Sequence, residues 1–141
     1  MSILLPDVSA LQLLVRHRRV EQARQLWAST ARWPEAVAAE VPPRLRSKFD
    51  WLGEPIEITD DRDVALVDRI RRATFGGSGS HPTEHLPEAQ ILFLMSHDEL
   101  VHEPVWLTAD PNIADFAAHR AMACRSLPSD LDRPPWAPPS G

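Results

Sequence analysis

With 141 residues, the chain has the length of one ordinary domain and can bury a single hydrophobic core. Its formal net charge of −5 at pH 7 argues against a protein that binds nucleic acid through a surface covered in basic charge. An enzyme that acts on nucleic acid is not excluded, because carboxylates that bind a metal ion are counted in this net charge as negative. The single cysteine, Cys124, excludes an internal disulfide and a thiolate metal cluster.

The first forty residues predict a strand followed by three helices. Residues 3–6 are apolar and end at Asp7, which is typical of a short buried strand. Ser9 is the expected N-cap of a helix over residues 10–15, and the basic run 16–19 suits the C-terminal dipole of that helix. Helical periodicity then covers residues 20–33, and Pro34 fits the first turn of a third helix that ends at residue 40.

The remaining segments alternate between strand and helix patterns. Strands are predicted at residues 55–59, 105–108 and 123–126, and helices at residues 61–73, 86–97 and 113–122. The glycine-rich residues 76–80 predict a flexible linker. We expect one domain over residues 1–131 and a proline-rich tail over residues 132–141. Because no apolar stretch is long enough to span a bilayer and no signal peptide pattern is present, we expect a cytoplasmic protein without a membrane partner.

This alternation predicts an α/β fold, a three-layer α/β/α sandwich around a short parallel sheet. In such folds, ligands bind beyond the carboxyl ends of the strands, where Asp7 and Asp110 are placed. Glu40 and Glu88 lie on predicted helices. Carboxylates that meet at one edge of a sheet repel one another unless a cation neutralises them, so the pattern indicates a divalent metal site.

Four segments resemble the motifs of the PIN domain family, which includes the VapC-like toxin ribonucleases. Residues 3–11 (ILLPDVSAL) resemble an apolar strand followed by Asp-x-Ser-x-Leu, and residues 34–40 (PEAVAAE) are similar to the Pro-x-x-Val-x-x-Glu helix. Residues 85–90 (HLPEAQ) resemble the Leu-Gly-Glu-Ala-Glu segment of one branch, in which Glu replaces the commoner third Asp. Residues 106–110 (WLTAD) resemble the strand that ends in Thr-x-Asp. The resemblance implies a PIN-like fold over nearly the whole chain.

The resemblance also implies roles for individual residues. Asp7 would be the central ligand of Mg²⁺ or Mn²⁺, Glu88 and Asp110 would complete the ligand set, and Glu40 would orient the attacking water. Polar residues around them would act through hydrogen bonds: Ser9 to Asp7 or to a metal-bound water, and Asn112 at the rim. Two positions depart from the family pattern: Pro87 replaces a glycine, and Ala109 replaces an aspartate. Asp115, one helical turn further on, has two interpretations: it compensates for the missing aspartate, or it is only a solvated surface residue.

The function implied is a metal-dependent endoribonuclease that cleaves RNA by metal-activated water, acting as the toxin of a type II toxin–antitoxin pair. Its partners would be RNA, a cognate antitoxin protein and a second copy in a homodimer. The alternative is a non-catalytic PIN-like binding or scaffold module. A nucleotide-binding domain of the same sandwich class would need a phosphate-binding loop, and residues 76–80 lack its lysine.

Each acid also has a purely structural interpretation. Asp7 and Asp110 are both able to cap the helix that follows them, and Glu88 suits the dipole of a first helical turn. Glu35 competes with Glu40 as the acid of the third helix. The basic residues 16–19 are typical of a solvated helix end, and in a nuclease they would also be able to contact RNA phosphates or an acidic partner segment.

Overall fold

The computed structural model describes residues 2–129 and residue 131. Within them, three strands form one parallel sheet in the order β1 (Ile3–Pro6), β2 (Pro104–Thr108) and β3 (Cys124–Ser126). Leu5 pairs with Trp106, and Trp106 pairs with Cys124 on its other side. The prediction of a mixed α/β protein with a short parallel sheet is therefore confirmed. The predicted tail over residues 132–141 lies outside the described residues.

Two isolated bridges extend the pairing beyond β1. Leu4 N donates to Thr30 O at 2.7 Å, and Arg32 N donates to Leu4 O at 2.9 Å, so β1 is hydrogen-bonded on both sides. Beyond this segment, Ile56 forms a bridge to Pro34. The strand predicted at residues 55–59 is thus reduced to one bridged residue, because its partner enters a helix directly after Pro34 and offers no further extended backbone.

The described residues form six α-helices. Their bounds are α1 Val8–Arg16, α2 Val20–Trp27, α3 Glu35–Glu40, α4 Asp61–Ala73, α5 Leu86–Met95 and α6 Pro111–His119. The bounds of α4 are those predicted, while α2 ends six residues early because the chain must extend at Ala31 to pair with Leu4. Helix α5 ends at Met95 rather than at residue 97, and α6 covers residues 111–119 rather than 113–122.

A 3₁₀ segment, Pro43–Leu52, occupies what the sequence predicted to be a polar connection. It kinks at Phe49, and only Phe49 and Leu52 among its residues are buried. Phe49 packs against Trp33, with ring centroids 6.3 Å apart. Two buried residues in ten produce no amphipathic period, so the sequence pattern did not predict these helical turns.

Helix α5 lies at the centre of the core. Seven of its ten residues are buried, from Pro87 to Leu94, and the helix contacts α3, α4 and β2. A helix that is apolar on every face is stable only when other elements cover it on all sides. Glu88 is half-buried in the first turn of α5, so the packing of this helix determines where that carboxylate points.

The loop after α4 is organised by a buried arginine. The Arg71 side chain is 1% exposed, and its guanidinium donates to Asp68 and to the backbone oxygens of Ser78, His81 and Glu84, at 3.0 to 3.3 Å. A Cβ atom at Gly77 would lie 2.6 Å from Arg71 Nη1, so only glycine fits there. The predicted linker at residues 76–80 is therefore part of a loop fixed to α4, and this loop leads into α5.

Among the described residues, no helix combines the length and the apolar character needed to cross a membrane.

Candidate functional site

Asp7 and Asp110 follow neighbouring strands and lie at the same edge of the sheet. Because β1 and β2 are parallel and paired through Pro6 and Leu107, their carboxyl ends lie side by side. Asp7 is the first residue after β1, and its backbone N–H continues the pairing by donating to Leu107 O at 3.0 Å. Asp110 follows β2 two residues after Thr108. The topology thus puts both residues at the same edge of the sheet.

The Asp7 carboxylate is buried, with 4% exposure, and accepts three hydrogen bonds. Ser9 Oγ donates to Oδ1 at 2.6 Å, Ala10 N donates to Oδ1 at 2.9 Å, and Trp106 Nε1 donates to Oδ2 at 3.1 Å. Asp7 is therefore the N-cap of α1. The prediction that Ser9 caps this helix was wrong, because α1 begins at Val8 and Ser9 lies inside its first turn.

Ser9 and Thr108 connect the two strand ends through their hydroxyl groups. The Ser9 proton is donated to Asp7, so the 3.2 Å contact between Ser9 Oγ and Thr108 Oγ1 has Thr108 as its donor. Ala109 N also donates to Ser9 Oγ at 3.0 Å, and Asp110 N donates to Thr108 Oγ1 at 3.0 Å. The hydrogen bonds therefore run in one direction, from the backbone after β2 to the Asp7 carboxylate.

Asp110 is the N-cap of α6. Its Oδ1 accepts from Asn112 N at 2.9 Å, and the residue is half-buried. Among the described residues, this is the hydrogen bond that its carboxylate accepts, so Oδ2 is left for another ligand. The Asn112 and Asp115 side chains are exposed on α6, and Asp115 contributes its backbone oxygen to a 2.8 Å contact with His119 Nδ1.

The two acids of α3 lie in different environments. Glu35 accepts a 3.3 Å hydrogen bond from Gln90 Nε2, and Gln90 Oε1 accepts from Ala36 N at 2.9 Å, so this end of α3 is tied to α5. Glu40 is exposed at the other end of α3 and lines a cleft beside Val8 of α1. Of Glu35 and Glu40, Glu40 is thus the acid on the side of α1, the helix that Asp7 caps.

No three predicted acids form a compact cluster. Among the described residues, no group of three or more His, Cys, Asp or Glu side chains is arranged to hold a metal ion. Hydrogen bonds through Ser9 and Thr108 link the Asp7 carboxylate to the backbone N–H of Asp110. Among the described residues, no such contact adds Glu40 or Glu88. The oxygen donors of two carboxylates still suit Mg²⁺, which is commonly bound by one or two carboxylates together with waters and substrate phosphates.

Two comparisons with known proteins give no match. A scan against models of protein families finds no matching family. A search of curated proteins finds no similar sequence. The resemblance to PIN domains therefore stays a prediction from the sequence motifs.

Trp106 and Gln90 are polar contacts of the site region that were not predicted. Both carry a signal in the sequence: an indole N–H in a buried strand needs an acceptor, and a lone amide in an apolar helix needs partners. Their partners lie far along the chain, since Trp106 and Asp7 are separated by 99 positions. Sequence patterns therefore identify the need for a partner without identifying the partner.

Cys124 lies beside the Asp7 site on β3. It is half-buried and pairs in register with Trp106. Burial raises the pKa of the Cys124 thiol, and the negative charge of Asp7 raises this pKa further. The thiol is thus suppressed as a nucleophile at neutral pH.

This arrangement predicts a pH-dependent reactivity of Cys124. Alkylation requires the thiolate, so the native chain should react slowly near neutral pH and reach its half-maximal rate at a higher pH than an ordinary thiol. In Asp7→Asn, which removes the charge, we expect the midpoint to move to lower pH, while burial keeps it above the ordinary value. The measurement is the rate of iodoacetamide labelling against pH, with Asp61→Asn as control. An identical midpoint in all three chains would contradict the influence of Asp7.

Proposed function

We propose that this chain is a Mg²⁺- or Mn²⁺-dependent endoribonuclease with a PIN-like α/β/α architecture. The observation that supports it best is the position of Asp7 and Asp110, which end adjacent parallel strands and are joined through Ser9 and Thr108. This edge is where sheets of this class bind ligands. The motif resemblance adds the substrate class, RNA.

Asp7 and Asp110 would hold the ion, with Glu88 of α5 as the further ligand implied by the motifs. A bound divalent ion supplies a water of lowered pKa and stabilises negative charge on the phosphate oxygens. Glu40 would orient the attacking water. The Asn112 and Asp115 side chains, on the exposed face of α6, would contact the substrate or solvent at the rim.

The surrounding residues keep the Asp7 carboxylate in one orientation. Three donors hold its two oxygens, and Trp106 is itself fully buried, so the carboxylate cannot rotate without breaking a hydrogen bond. A ligand that is held before the metal arrives loses little entropy on binding, and such orienting contacts typically contribute 10- to 100-fold to metal affinity.

The motifs also support a biological role, the toxin of a toxin–antitoxin pair. The proposed partners are cytoplasmic RNA, a cognate antitoxin and a second copy of the chain. A short open reading frame beside the gene, encoding a DNA-binding protein that copurifies with this chain and blocks cleavage, would support this role.

The alternative is a non-catalytic binding or scaffold module of the same fold. It is favoured by the N-cap functions of Asp7 and Asp110, which give both carboxylates a structural reason to be present. It also agrees with the lack of a three-acid group among the described residues.

Cleavage of RNA in the presence of Mn²⁺ tests the proposal. We expect the native chain to cleave, and Asp7→Asn and Asp110→Asn to lose most of the activity. Asparagine is as good an N-cap as aspartate, so these changes remove charge while preserving both helix starts. Asp7→Asn also removes the acceptor of the Trp106 Nε1 hydrogen bond, so circular dichroism checks that this variant is folded. Asp61→Asn, on the exposed first turn of α4, is the control and should cleave like the native chain.

Two outcomes would decide against the nuclease. Undiminished cleavage by both variants would show that the assigned carboxylates do not act. If no version cleaves RNA and calorimetry detects no Mn²⁺ binding to the native chain, the scaffold module is the better description.

A further inference from the structure

The positive charge of the chain is concentrated in two segments. Residues 16–24 and 44–48 carry seven of the fifteen Lys and Arg residues but one of the twenty Asp and Glu residues. The rest of the chain therefore carries eight basic and nineteen acidic residues. Such a separation of charge restricts the binding of a polyanion to one surface, even on a protein whose net charge is negative.

The fold brings these two segments together around a cleft. The basic cleft, as we name it, has a volume of about 600 Å³ and lies between the start of α2 and the 3₁₀ segment. Three cations, Arg18, Arg24 and Lys48, and two carboxylates, Glu21 and Asp50, line it, so its lining carries a net positive charge. Arg24 is paired with Glu21 on α2, whereas Arg18 and Lys48 have no ion-pair partner among the described residues.

An aromatic ring lies in the wall of the basic cleft. Trp51 is half-buried, and its Nε1 donates to Lys48 O at 2.8 Å. Its ring packs at 6.3 Å from the buried Phe49 ring. One side of the indole is thus fixed to the protein, while the exposed remainder is a surface on which a nucleic acid base is able to stack.

A second cleft lies beside the basic cleft and runs along α1. The α1 groove, as we name it, has a volume of about 250 Å³ and is lined from Val8, next to Asp7, to Arg16. At 1.5 Å per residue, this helix separates its two ends by roughly 13 Å. Val15 lines both clefts, so they are neighbours on the surface, and Glu40 lies in the α1 groove.

We propose that single-stranded RNA binds in the basic cleft, with phosphates on Arg18 and Lys48 and a base on Trp51. The strand continues along the α1 groove to Asp7 and Asp110. This inference rests on the proposed nuclease function and specifies how the substrate reaches its site. RNA is favoured over an acidic peptide because the basic cleft combines cations with an aromatic face on which a base is able to stack.

The test measures binding of a fluorescently labelled single-stranded RNA by anisotropy in EDTA, so that no cleavage occurs. The variant is Arg18→Asn/Lys48→Gln, since asparagine tolerates the positive φ of 56° at position 18. The control is Arg62→Gln/Arg69→Gln, which removes the same charge from exposed positions of α4. Circular dichroism checks that both variants are folded.

We expect the basic-cleft variant to bind roughly tenfold more weakly and the slope of log K against log salt to fall by about 1.4, since each lost contact to a single strand removes about 0.7. The control should stay within about twofold of the native chain. We also expect RNA to quench the emission of Trp51, so Trp51→Phe should show less quenching than the native chain. An equal loss of RNA affinity in the basic-cleft variant and in the control variant would overturn the proposal.

Three further results separate this proposal from its alternatives. If polyglutamate of equal charge displaces the RNA as well as unlabelled RNA does, the surface is an acidic-peptide site and the RNA assignment fails. If the basic-cleft variant binds RNA normally while Asp7→Asn abolishes cleavage, the track is wrong and the nuclease stands. A third result would support the track and reject the nuclease: the basic-cleft variant binds RNA more weakly than the native chain, and the native chain does not cleave RNA with Mn²⁺.

Discussion

Replacing Arg71 with methionine is expected to lower the free energy of unfolding by about 3 kcal/mol. Methionine fills a similar volume but donates no hydrogen bond, so the carbonyl oxygens of Ser78, His81 and Glu84 lose their shared donor. Asp68 loses one of its two arginine partners as well. Chemical denaturation of the two chains measures the difference.

Arg72→Met provides a matched control, because Arg72 also pairs with Asp68, at 3.1 Å, but is 55% exposed. A solvated pair of this kind contributes little, so we expect a change within about 0.5 kcal/mol. Equal effects of the two methionines would show that Arg71 acts only as a surface charge. Hydrogen exchange should also report faster opening of the loop before α5 in Arg71→Met, which would leave Glu88 less firmly placed.

Trp106→Phe is expected to lower the free energy of unfolding by about 2–4 kcal/mol. Trp106 is fully buried, so the smaller ring leaves a cavity. The change also removes the 3.1 Å hydrogen bond to Asp7 Oδ2, and loss of a donor to a buried carboxylate is costly because that charge stays without its partner. Thermal and chemical denaturation measure the loss.

Trp33→Phe separates the general cost of losing an indole from the effect on Asp7. Trp33 is also buried, and its Nε1 donates to a neutral acceptor, Gly53 O, at 2.8 Å. We expect this variant to lose about 1–2 kcal/mol and to keep its Mn²⁺ affinity by calorimetry. Trp106→Phe should bind Mn²⁺ roughly tenfold more weakly. A Mn²⁺ affinity that is unchanged in Trp106→Phe would mean that the indole serves the core alone.

Local sequence signals predicted the elements that have clear ends. Helix α4 begins after Asp60, whose carboxylate accepts from Arg62 N and Asp63 N, and its apolar period continues to the predicted end. The positions of Asp7 and Asp110 after their strands were predictable for the same reason, because an apolar run followed by an acid marks a strand end. Both features depend only on residues close together in the chain.

The features that were missed depend on competition or on distant contacts. Asp7 and Ser9 are both good N-cap residues, and Asp7, whose other oxygen accepts from the distant Trp106, is the one that caps α1. Arg71 lies on an amphipathic helix, where an arginine is expected to face solvent. Its burial depends on carbonyl groups of the loop between α4 and α5, whose position the sequence does not predict. Sequence periodicity carries no information about either contact.

The same distances along the chain determine when the site is able to form during synthesis. The contacts of Asp7 with Trp106 and of Ser9 with Thr108 each span 99 positions, and that of Ser9 with Ala109 spans 100. Pairing β1 with β2 closes this long loop, a step that is entropically slow compared with local helix formation. Helices α1 to α5 therefore leave the ribosome before Asp7 can acquire its indole partner. A nascent chain that ends before β2 has no assembled acid pair, so any activity of that pair arises only after most of the protein has been made.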